Sequence, residues 1–148
     1  MNFSKWVSDR LTKTLLKWTT NTIFSSDYKS IAEVVSKIGS TQVTLVLHSS
    51  IPANHTSGAV TIPANISIRP ENPGVITKSS ATSLTINGPP VGNPMHQWLS
   101  GFAAGNVTFG VGIDEIKCVW FGNGVNTDLT LAIQSAINSV PLTSGSGF

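Results

Sequence analysis

Four short segments of one kind constrain this chain more than any other feature: Val43-Thr44-Leu45, Val60-Thr61-Ile62, Leu84-Thr85-Ile86 and Val107-Thr108-Phe109. Each has two apolar residues around a threonine, which is the alternation of a strand with one buried face. Each also lies near turn chemistry: Ile51-Pro52, Ile62-Pro63-Ala64-Asn65, Asn87-Gly88-Pro89-Pro90, and Gly110 with Gly112. A short strand cannot bury its apolar face alone, so recurrence at intervals of roughly 20 residues predicts units stacked over a shared apolar axis. A sandwich or barrel also uses short alternating strands, but its turns recur about every 8–12 residues. The longer interval favours a solenoid.

Helical patterning brackets this region. Phe3, Val7, Leu11, Leu15 and Trp18 recur at steps of three and four, with Lys5, Arg10, Lys13 and Lys17 mostly elsewhere, which predicts a basic amphipathic helix from Phe3 to Trp18. Such a helix packs on its own body, on a sister chain or on a larger assembly; contact with an anionic membrane surface is the less favoured alternative. Thr19 to Asp27 is polar and reads as a linker. Ser30-Ile31-Ala32-Glu33 has the form of a capping box; the stripe Ile31, Val34, Val35, Ile38 follows it, and Gly39 supplies a stop. Near the other end, Ile116 to Phe121 reads as a strand. A helix then runs from Leu129 toward Pro141, capped by Thr127 or Asp128. The division predicted is a leader helix and linker over 1–25 and a main body over 26–148.

Composition narrows the class. With 148 residues and a net charge of +2 the chain fits one domain, and 11% charged residues is well below the roughly 25% common in soluble domains. Residues 1–40 carry six Lys or Arg against three acids, whereas 114–148 carry one against three. The basic charge is therefore a leader on a nearly neutral body, a poor match to a nucleic-acid face. No apolar run approaches the ~20 residues of a membrane span. The single Cys118 excludes a disulfide framework within the chain, and its surroundings predict a small buried apolar role.

Candidate chemistry is sparse. His48, His55 and His96 show no ligand spacing, so no metal or other cofactor is expected. Glycoside hydrolysis needs two carboxyl groups about 5–10 Å apart across one bond. Asp114 and Glu115, as neighbours on a strand, would point to opposite faces. No catalytic residue is assigned. Trp98 and Phe102 flank the stretch Gly101 to Gly105 and are the candidates to stack on a sugar; core packing is the alternative for both.

The run Val119-Trp120-Phe121-Gly122, through Thr127-Asp128 to Ala132-Ile133-Gln134-Ser135-Ala136-Ile137, resembles the opening motif of right-handed parallel β-helix proteins of the pectate-lyase superfamily. Trp120, Phe121, Gly122, Thr127 and Asp128 are its structural positions. Thr61-Ile62-Pro63-Ala64-Asn65-Ile66, Leu84-Thr85-Ile86-Asn87-Gly88-Pro89 and Asn106-Val107-Thr108-Phe109-Gly110 resemble the coils that precede it. The turn Gly122-Asn123-Gly124-Val125-Asn126 is shorter than that family's and lacks its Asp. The resemblance implies an all-β solenoid with helical additions: the N-terminal coils of a parallel β-helix, apparently incomplete. It further implies a structural segment of a tailspike-like or lyase-like protein, virion-borne or extracellular, that recognises or degrades polysaccharide and forms homo-oligomers, trimers if tailspike-like. A non-catalytic carbohydrate-binding or assembly-docking module is the alternative function.

Overall fold

Local signals start the body where the sequence places them. The Ser30 hydroxyl accepts from Glu33 N at 3.2 Å, and the Glu33 carboxylate accepts from Lys29 N at 2.6 Å. These two bonds satisfy backbone donors that a helix start leaves unpaired. The helix they open, Ile31–Ile38, ends at Gly39, whose φ of 57° is costly for a residue with a Cβ. Ile31 and Val34 are fully buried, and the helix packs chiefly on the long strand Ile51–Ile62.

The computed structural model describes residues 2–10, 21–111, 113–122 and 130–141. In chain order the helices are α1 (3–10), α2 (Ile31–Ile38) and α3 (Thr130–Asn138). The strands are β1 (Thr22–Phe24), β2 (Val43–Leu47), β3 (Ile51–Ile62), β4 (Ile66–Pro70), β5 (Ile76–Ile86), β6 (Leu99–Ser100) and β7 (Val107–Phe109). A three-stranded sheet has the order β1-β2-β4, and a four-stranded sheet joins β3, β5 and β6, with β7 also on β5. The strand pairs within both sheets are parallel. The chain alternates between sheets, so β2 and β4 are neighbours in one while β3 and β5 are neighbours in the other.

Inward positions from both sheets meet in one apolar core. Leu45, Leu47, Ile66 and Ile68 come from the first sheet, and Ile51, Ile62, Ile76, Leu84 and Ile86 from the second; all are essentially inaccessible. Burying one such side chain contributes about 1.5–3 kcal/mol. In-register pairs put like on like: Leu45 beside Ile68, Leu84 beside Val107, Ile86 beside Phe109.

This architecture corrects the expected all-β solenoid of β-helix coils. The chain forms two parallel sheets of three and four strands with helices packed on them, and α2 supplies fully buried core residues. The four Thr-centred segments do not form one column. Thr61, Thr85 and Thr108 are register partners in the larger sheet, whereas Thr44 lies in the smaller one between Thr22 and Ser67. Nor are the strands uniformly short: β3 and β5 span 12 and 11 residues, with register shifts between Asn54 and Ala59.

Three local readings change as well. Part of the supposed linker, Thr22–Phe24, is a strand, because its backbone pairs with β2 and Ile23 is 3% exposed in the core. The supposed strand Ile116–Phe121 instead contains a 3-10 turn, Cys118–Trp120. Cys118 is exposed, since that turn directs Trp120 rather than the thiol inward. Of the leader helix, 3–10 is helical; the remainder of its predicted span, and the cap at Thr127 and Asp128, lie outside the described residues.

Candidate functional site

Two segments some 24 residues apart in the chain form a groove. Pro89 O accepts from Ile68 N at 3.0 Å and Val91 N donates to Ile68 O at 2.7 Å, which pins 89–91 along β4. The second segment, 113–120, is tied to the first by Trp120 Nε1, which donates to Pro94 O at 2.9 Å. Between them lies an open cavity of about 440 Å³, lined by Pro89, Pro90, Asn93, Pro94, Asp114, Glu115, Lys117 and Trp120 among others. That size is within the ~300–1,000 Å³ usual for ligand sites.

Its walls are rich in acceptors and poor in donors. Three prolines contribute ring CH surface and no N–H. The one wall ammonium, Lys117, is already engaged: it donates to Asn93 Oδ1, lies 3.4 Å from Met95 Sδ and pairs with Glu115 at 3.6 Å. Asp114 has no partner among the described residues. Among the described residues the groove thus has one carboxylate without a protein partner, beside apolar ring faces, a setting suited to a cation or a group rich in N–H and O–H.

Asp114 and Glu115 were expected on opposite faces of a strand. The segment 113–117 is not a strand, so both line the groove. Sequence reasoning also missed Pro89, Pro90, Asn93 and Pro94, which lie some 24 residues upstream. The available signal was the proline-rich run 89–94 followed one register interval later by an acidic pair.

Trp98 does not serve as a sugar platform: it is fully buried, packed against Phe109 with ring centroids 6.3 Å apart and Trp120 at 5.4 Å. Its Nε1, like His48 Nδ1 and His96 Nε2, has no hydrogen-bond partner among the described residues. Phe102 is half-buried against the same core. Trp120 and Phe121 belong to this aromatic cluster, with Phe109 5.5 Å and 6.4 Å from their ring centroids. Gly122 sits where a Cβ would come within 3.1 Å of Ala132 Cβ, so its lack of a side chain allows α3 to approach. Among the described residues no cluster of three or more His, Cys, Asp or Glu is present.

A second exposed feature lies on α1. Phe3 and Trp6 stack with centroids 6.0 Å apart, the Arg10 guanidinium lies 4.7 Å over Trp6, and Phe3 and Trp6 are 76% and 42% exposed. Large aromatic residues exposed together on a short helix commonly mark an interaction surface. Comparison with protein-family models, curated proteins and solved structures finds no match, and none supports the expected resemblance to the pectate-lyase superfamily.

Proposed function

We propose that this chain is a non-catalytic structural module that self-assembles through its leader helix. The observation that carries this reading is the Phe3, Trp6 and Arg10 cluster on α1, where aromatic area and a cation are displayed together. Tryptophan and arginine are the side chains most enriched among residues that dominate protein interfaces. Sedimentation velocity over a dilution series tests the reading. The full chain should associate with rising concentration, and the F3A/W6A variant should remain monomeric with an unchanged melting temperature. A wild-type chain that stays monomeric throughout overturns it.

A second reading has its own observation. Asp114, Glu115 and Asn93 lining one groove can accept hydrogen bonds from the hydroxyls of a saccharide. Binding on a glycan array that D114N abolishes would support that function for the groove.

A further inference from the structure

We infer that the groove between 89–94 and 113–120 is the receptor for α1 of a second copy of this chain, giving a head-to-tail contact. The inference rests on the self-assembly reading above and names the surface that reading leaves open.

Charge supplies the first argument. Lys5 and Arg10 lie on α1 with a single acid, Asp9, in a region carrying six basic residues against three acids. The groove is lined by Asp114 and Glu115 against Lys117 alone, and its Asp114 carboxylate has no partner among the described residues. Complementary charge of this kind steers encounter and fixes orientation. A cation entering from α1 supplies the donors that the proline-lined wall lacks.

Shape and chemistry supply the second. Proline rings present flat CH surface, which packs against the faces of aromatic side chains such as Phe3 and Trp6. A cavity of about 440 Å³ has room for side chains of this kind but not for a whole helix ~10 Å wide. Insertion of side chains from a helix lying across the opening is the geometry that fits.

The contact is placed between copies because, among the described residues of one, Phe3 and Trp6 stay exposed and Asp114 has no partner. Phe3 and Trp6 are exposed in this structure, and Asp114 and Glu115 remain exposed on the groove. The helix and the groove are different surfaces, so the interface is heterologous and closes into a ring or extends into a filament.

The test uses full-length chains with reversed charges. K5E/R10E makes the helix acidic, and D114K/E115K makes the groove basic. Each variant alone should sediment as a monomer, with circular dichroism and melting temperature close to those of wild type. An equimolar mixture should regain association, because each reversed surface then meets its complement. If K5E/R10E abolishes association while D114K/E115K leaves it intact, self-assembly stands but the groove is not its receptor. If neither variant alters association, both the groove assignment and the leader-helix reading fail. Flotation of wild-type chain with phosphatidylserine vesicles, lost in K5E/R10E and accompanied by no chain-chain association, would assign α1 to a lipid surface and overturn both.

Discussion

A methyl group at Gly88 would overlap the backbone carbonyl of Ile66, and one at Gly74 would overlap that of Leu47. Both glycines stand where the chain turns against an adjacent strand, and the obstructing atoms are backbone that cannot rotate aside. Gly39 differs: its space is open, and only its positive φ disfavours a side chain. Overpacking costs about 1–3 kcal/mol or more, and a side chain held at Gly39's φ of 57° and ψ of −125° costs about 1–3 kcal/mol. Urea denaturation should show G88A losing about 3 kcal/mol or more, and G39A less, because no atom obstructs a methyl group there. Equal losses would mean that the turn at Gly88 relaxes to admit the methyl group. Such positions are only partly visible in sequence. Asn87-Gly88-Pro89 reads as a turn from its composition, but the close approach of Ile66 depends on a strand 22 residues away.

At the scale of elements, α2 was readable because its determinants are local. Ser30, Glu33, the Ile31 and Val34 stripe and Gly39 lie within ten residues, and each acts through the helix itself. The 3-10 turn at Cys118–Trp120 was not, because alternating apolar residues fit a strand equally well; the bond from Trp120 to Pro94 decides the outcome. The groove escaped for the same reason, since its two walls meet through contacts between residues 26 and 24 apart, Trp120 with Pro94 and Lys117 with Asn93. The interval from Val43 to Val60, shorter than those that follow, carried an unused clue: segments 23 or 24 residues apart are register neighbours, and these two lie in different sheets. The capping arrangement makes a pH-dependent prediction. Hydrogen bonding to Lys37, then to Lys29 N, holds the Glu33 carboxyl below its ordinary value of 4.5. A lowered folded-state value means that the stabilisation is present above 4.5 and is lost as pH falls through the folded value. S30A should cost about 1 kcal/mol at neutral pH. The difference in melting temperature between wild type and E33Q should be positive at pH 7 and shrink as pH falls below 4.5. A difference that does not change with pH would remove the carboxylate from the cap.

For the molecule as a whole, the question is whether two sheets with separate hydrogen-bond ladders unfold separately. The ladders share no strand, yet their inward side chains form one cluster running from Ile23 and Ile31 to Phe109 and Trp120. Alternation of the chain makes separation harder: β3 cannot leave its sheet without pulling on β2 and β4, which belong to the other. Unfolding one sheet would also expose the apolar face of its partner, Leu45 and Ile68 among others in the smaller sheet or Ile62 and Leu84 in the larger, each contributing about 1.5–3 kcal/mol through burial. That exposure comes without the chain entropy gained by releasing the remaining sheet, against a total stability of usually ~5–15 kcal/mol, so unfolding both sheets together is the easier route. Native-state hydrogen exchange in low urea should consequently show amides of Leu45 and Ile68 opening with the same free energy and urea dependence as those of Val60 and Leu84. The two-residue strand β6 at the sheet margin should open at lower cost, because its ladder with β5 comprises only Leu99 and Ser100. Two distinct opening energies, one for each sheet, would show that the common core does not couple them.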